Sequence, residues 1–300
     1  MTLKPGANTL KGMRPAFADF DSRTLLVGFD SAWTPNNSGA LVGVLRSDGG
    51  QIEELGLPQV VNYLEAGEAI LSWQNQTKPA TTIVLLDQPT IVPNFSGQRP
   101  VENLVASPVS RRYGGVQPAN TERVEMFGED APVWRFLDQF GGAADPLEPV
   151  KDTAVLETYP VLTMIALGWS LPHSARPTGR LPKYNPERRS TFTISDWDHV
   201  CQRTLSELDA FGLQELARWL GGLSDSRSPR KIDQDRLDSC ICLLTALHLA
   251  DQRECMMVGD TDTGYIVVPF GDFLRDELHA RCISTGRTPK EWVRSFILGR

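Results

Sequence analysis

Thr24-Leu25-Leu26-Val27-Gly28-Phe29-Asp30 is an apolar run that ends on a carboxylate. Its length and its Leu, Val and Phe content suit a strand covered on both faces. Asp30 is then held where that strand stops. Thr81-Thr82-Ile83-Val84-Leu85-Leu86-Asp87 has the same form. Asp235 and Asp238 stand three residues apart on an apolar helical stretch, and residues at that spacing share a helical face. Sites in open α/β sheets form at the carboxyl ends of strands, so four acids spread over some two hundred residues read as one constellation.

Working outward from Thr24, a second strand is expected over 39–45, and Asp48-Gly49-Gly50 turns into a third over 51–55. An amphipathic helix follows over 58–75, with Val60, Val61, Leu64, Ile70, Leu71 and Trp73 near one stripe. Residues 88–120 hold prolines and glycines with little periodicity and read as a long functional loop. A helix spans 121–140. The fifth strand runs over 154–159, and a short helix starts at Val161. Residues 171–190 form a second Pro- and Arg-rich loop. Helices over 196–219, capped by Ser195 and stopped at Gly221-Gly222, and over 233–249, capped by Asp233, are the clearest of all. Gly264 to Pro269 is a short edge strand. The order describes an α/β fold with a mixed sheet, strands 1–3 antiparallel and strands 4–5 parallel, flanked by helices. The organisation expected is an N-terminal arm over 1–22 and one domain over 23–300, with insertions at about 88–120 and 170–192.

The chain has 300 residues, 41% hydrophobic and 22% charged, as in ordinary globular proteins. No apolar run reaches membrane-spanning length, and the N-terminus lacks a signal-peptide hydrophobic region. Five cysteines without paired metal spacing read as reduced core residues of a cytoplasmic protein. With 37 acids against 30 bases the net charge is −7, the opposite of a protein that grips nucleic acid along a broad face. Contact with phosphates would be local, through Arg111-Arg112 or the cluster Arg176, Arg180, Lys183, Arg188, Arg189. An edge strand leaves a homodimer open.

Converging carboxylates raise one another's pKa and need cation support. Mg²⁺ and Mn²⁺ are hard cations that prefer oxygen ligands, and a pair of them clamps the attacking and leaving oxygens of a phosphoryl displacement. Asp30, Asp87, Asp235 and Asp238 are therefore the expected metal ligands of a nuclease or related phosphodiester hydrolase. Each acid also has an ordinary reading: Asp30 and Asp87 as turn residues, Asp235 as a complement to the helix dipole. Glu157 interrupts an apolar strand; it either joins the catalytic set or holds a basic side chain from a loop. None of the four histidines is spaced for zinc, and His248 reads as a core residue.

The pattern resembles the ribonuclease H-like superfamily, in which acids end the first and fourth strands and one or two lie on a late helix. Asp235-Arg236-Leu237-Asp238 is similar to the D-x-x-D helix of Holliday-junction resolvases of that superfamily. From about 24 to 270 the chain resembles the domain of unknown function 429 family, whose members are considered predicted nucleases. The matching stretches are Val27 to Trp33, Leu86 to Pro89, Arg99 to Glu102, Gly114 to Asn120, Glu157 to Pro160, Asp235 to Leu243 and Gly264 to Pro269. The family's E-x-x-P element implies that Glu157 lines the site. Where the family often has glycines after its first aspartate, Ser31-Ala32-Trp33 stand here.

Arg99, Arg111 and Arg112 are candidates for neutralising substrate phosphates. Trp33 either stacks on a base or packs beneath the site. Two other function classes remain open: a non-catalytic binding module of the same fold, and an ATP-binding protein like sugar kinases and actin. The latter grip phosphates with glycine-rich turns, and neither Ser31-Ala32-Trp33 nor Gln88-Pro89-Thr90 contains a glycine.

Overall fold

The computed structural model describes residues 23–299, so the arm expected over 1–22 lies outside the described residues. β1 (Arg23–Asp30) and β2 (Gly39–Ser47) pair antiparallel, and the short β3 (Ile52–Glu54) and β4 (Gln59–Val61) both lie on β2. α1 (Tyr63–Thr77) crosses to β5 (Thr81–Asp87), which joins β1 in parallel. α2 (Pro100–Arg111), α3 (Val124–Phe127) and α4 (Pro132–Gln139) precede β6 (Thr153–Glu157), parallel to β5. α5 (Pro160–Ala166), the β7 (Leu171–His173) and β8 (Arg176–Arg180) ribbon, α6 (Ile194–Ala210), α7 (Gln214–Ser224) and α8 (Lys231–Ala250) come next. The chain continues through β9 (Cys255–Asp260), β10 (Gly264–Pro269), α9 (Asp272–Ser284), α10 (Pro289–Trp292) and β11 (Val293–Phe296). The architecture is α/β, a mixed sheet in the order β3-β2-β1-β5-β6 flanked by helices, with a second antiparallel sheet β10-β9-β11.

Period-two alternation sorts the main sheet's side chains between two cores. Leu26, Ile83, Leu85, Ala154 and Leu156 pack with α8. Leu25, Val27, Phe29, Val84, Leu86 and Val155 pack with Tyr63, Ala66 and Ile70 of α1 and with Phe136 of α4. α8 is buried all round from Leu237 to Leu249, as befits a central helix. Other elements cover its outer face; Trp197, Val200 and Leu216 share its core.

Gly28 is where α8 meets the sheet. A Cβ there would sit 2.1 Å from the Ser239 carbonyl oxygen and 2.4 Å from the Leu243 nitrogen, both backbone atoms. Gly28→Ala should therefore push helix from strand and cost about 2–3 kcal/mol. Chemical denaturation measures this, and an unchanged midpoint and slope would show that the contact is slack.

Several expected elements differ. The stretch 88–120 is no plain loop, since α2 lies inside it. Pro100 occupies its first turn, Glu102 accepts from the Arg99 amide at 3.0 Å, and Val101, Leu104, Val105 and Val109 are buried. The expected helix over 121–140 is two, parted by Gly128 and restarted at Pro132. The helix expected over 196–219 is α6 and α7, broken at Gly212, whose φ is +83°. Gly221 and Gly222 do not stop it; they lie within α7. The caps move as well: Thr193 rather than Ser195 caps α6, and Arg230 precedes α8 with Asp233 bonded back to its amide. Gly264–Pro269 belongs to the second sheet, beside β9, a strand not expected from its methionine-rich sequence. Among the described residues no helix is long and apolar enough to cross a membrane.

Candidate functional site

β1 and β5 are adjacent and parallel, and Asp30 is the register partner of Asp87. Counting by twos from Leu26 and Gly28, Asp30 falls on the α8 face of the sheet; from Ile83 and Leu85, Asp87 does too. Ser239 rests on Gly28, so the turn of α8 before it lies over the strand ends. That turn carries Asp235 and Asp238. Asp30, Asp235 and Asp238 are buried, and Asp87 is half-buried. All four line one cleft of about 800 Å³.

Local chemistry fixes these groups. Ser31, next to Asp30, donates to Gln88 Oε1 at 2.6 Å, and Tyr63 donates to the same oxygen. The two strand ends are thus tied behind the carboxylates. Tyr184 Oη donates to Asp238 Oδ1 at 2.8 Å and Gln234 Nε2 to Oδ2 at 3.0 Å. The Lys231 ammonium donates to Asp235 Oδ1 across one helical turn. Burial, then the charges of Asp238 and Asp87, push the Asp30 carboxyl well above the usual range. Burial and Asp238 raise Asp87 to about 8, although Asp30 hydrogen-bonds it. Burial raises Asp238 to about 6 against the opposing pull of Lys231, Tyr184 and Gln234. Burial disfavours the Lys231 charge, yet Asp30, Asp235 and Asp238 outweigh it and hold the ammonium above its ordinary range. The cluster is short of positive charge. Among the described residues, no three His, Cys, Asp or Glu side chains stand in metal-holding geometry; Asp235 is turned to Lys231, and both oxygens of Asp238 have donors.

Glu157 lines the same cleft as the four aspartates, beside Arg99, and its charge adds to the rise of Asp87. The backbone position of Glu157 shares strand parity with Val155 rather than Leu156, and its carboxylate is taken up at the end of β6. Arg99 grips it bidentately, at 2.8 and 2.6 Å, and also meets Glu102 at 2.8 Å. Of the two readings of Glu157, the structure shows the ion pair with a basic side chain. Arg99 is accordingly buried and committed. Arg112 is buried too, bonded to Ser170, the Thr178 and Pro108 carbonyls and Glu277. Arg111 is exposed, 3.6 Å from Glu277. Of the three arginines expected to meet substrate phosphates, Arg99 lines the cleft with its guanidinium engaged by Glu102 and Glu157, and neither Arg111 nor Arg112 lines it. Arg180 pairs with Asp196. Trp33 lines the cleft, edge-on to Phe127 with centroids 6.0 Å apart.

Sequence reasoning overlooked Lys231, Gln234, Tyr184 and Tyr113. The signal for Lys231 was present, since a lysine four residues before Asp235 is an ion-pair spacing. Nothing local marked Tyr184, which reaches Asp238 across 54 residues.

The model of the family described as "Protein of unknown function (DUF429)" matches residues 28–263. The chain belongs to this family. The match begins inside β1 and ends past β9, so the family's domain contains all four clustered aspartates. No curated protein and no solved structure matches the chain.

Proposed function

We propose that this member of the DUF429 family is a divalent-metal-dependent nuclease of ribonuclease H-like fold. The observation that carries the reading is the register of Asp30 with Asp87 on adjacent parallel strands, beneath Asp235 and Asp238 on one helical turn. Buried like charges at that density are unfavourable in isolation. Their all-oxygen donor set suits Mg²⁺ or Mn²⁺. Asp30 and Asp87 would hold the ion, with Asp238 and Asp235 completing the set. Such an ion supplies charge stabilisation at a phosphoryl oxygen and activates water near neutral pH.

The chain's own residues do the rest. Tyr184 and Gln234 hold Asp238 in one orientation. Lys231 offsets part of the carboxylate charge before an ion arrives. Lys183 and Arg188, which also line the cleft, supply the positive charge expected by a phosphodiester. Crystals soaked in Mn²⁺ should show density between Asp30, Asp87 and Asp238, and Mn²⁺ should raise the melting temperature more at pH 8 than at pH 5. A soaked crystal without an ion there, together with an unshifted melt, would reduce the protein to a non-catalytic binding module.

A further inference from the structure

Four non-glycine residues have positive φ among the described residues: Trp33, Lys78, Tyr113 and Gln252. Two of the four are aromatics on different loops of the same cleft, Trp33 at +60° and Tyr113 at +63°. Left-handed backbone at bulky residues is costly and persists where the surroundings over-determine it, often at ligand sites. Trp33 is held by Phe127. Tyr113 is an exposed residue, at 48% of its surface. It is held by polar groups instead. The Arg176 guanidinium lies over the ring, Lys183 donates to the Tyr113 carbonyl, and His173 meets the ring edge at 5.8 Å between centroids. An exposed aromatic propped by two cations at the mouth of a carboxylate cleft has the make-up of a base-stacking platform.

We propose that the cleft takes the end of a single-stranded nucleic acid and that one base stacks on Tyr113. The inference rests on the nuclease reading and names its substrate class. A base inside a duplex has both faces covered by its neighbours and cannot offer one to Tyr113, whereas an unpaired base can. The size agrees: about 800 Å³ is the scale of a small-ligand pocket rather than of a duplex groove. Arg188 lines the cleft and makes no ion pair among the described residues; it and Lys183 lie where the backbone phosphates of the stacked strand would pass.

The test is fluorescence anisotropy in Mg²⁺ with full-length Asp30→Asn protein, which keeps the aromatics and suppresses cleavage. The probes are a labelled twelve-residue oligothymidylate, the matching oligouridylate and a blunt twelve-base-pair duplex. A single strand should bind at least about tenfold more tightly than the duplex. Adding Tyr113→Ala should weaken that binding about 5- to 100-fold, the worth of one stacked base, while Tyr113→Phe restores it and the melting temperature of both stays put. Equal binding by the Tyr113→Ala protein, or duplex binding as tight as single-strand binding, overturns the inference. In that case Mn²⁺-dependent cleavage of the duplex by wild-type protein would leave the nuclease reading standing. Absence of both binding and cleavage with every probe would overturn the two together. Preference between the deoxy and ribo strands separates DNA from RNA as the source.

Discussion

Asp30→Asn will lower Mn²⁺-dependent phosphodiester cleavage by at least about a thousandfold and will also make the metal-free protein more stable at pH 8. The first effect follows from position. Asp30 has neighbours from both other elements of the cluster, Asp87 on β5 and Asp235 and Asp238 on α8. An amide keeps its shape but lacks its charge, and a bound metal ion contributes several kcal/mol to the barrier, with about 1.4 kcal/mol to each tenfold. The second effect follows from the sign of the titrations. Burial and mutual repulsion raise Asp30 above the ordinary 3.8, Asp87 to about 8 and Asp238 to about 6. Between pH 4 and 8 the folded protein then binds more protons than the unfolded chain, so its stability is fully present below about pH 4 and falls as pH rises through those values. Asparagine removes Asp30's share of that fall. Melting curves in chelator from pH 5 to 8.5 should therefore decline less steeply for the variant, and Mn²⁺ should rescue wild type but not the variant. Undiminished cleavage by the purified variant would end the assignment of Asp30.

This coupling explains which parts of the site could be read in the sequence. Asp30 and Asp87 were visible because each ends a run whose composition marks a buried strand, and a strand's last residue projects where loops diverge. Asp235 and Asp238 were visible through their spacing alone. Strand adjacency was not local information: the in-register pairing of Asp30 with Asp87 depends on β1 and β5 lying side by side. Glu157 shows the limit most plainly. Its strand was evident, but its partner was not, since Arg99 reaches it from 58 residues away. Arg99 was read as a loop cation because prolines obscured α2. The Pro100-Val101-Glu102 start was a helix signal, with Pro108 further along the same helix masking its apolar stripe.

Replacing that arginine should carry a large stability cost. Arg99→Met should cost about 3–5 kcal/mol in chemical denaturation, the penalty for stripping the partner from buried charge. Its guanidinium is shared between Glu102 and Glu157, and it also donates to the Ile91 carbonyl at 3.0 Å, so one side chain joins the end of β6, the segment after β5 and the start of α2. Without it, the partner left to Glu157 among the described residues is the Thr90 amide at 3.1 Å. Glu102 retains the Ala119 amide and the backbone amide of residue 99. The strain thus falls mainly on Glu157, and Arg99→Met with Glu157→Gln should be more stable than Arg99→Met alone, since a neutral amide bears burial better than an orphan carboxylate. A loss below about 1 kcal/mol in the single variant would show that water reaches the pair. The same double variant also settles what Glu157 does. Its carboxylate is bonded to Arg99 and the Thr90 amide, so Mn²⁺ affinity, measured by titration, should match wild type once the fold is restored. A weakened affinity would return Glu157 to the metal's ligands.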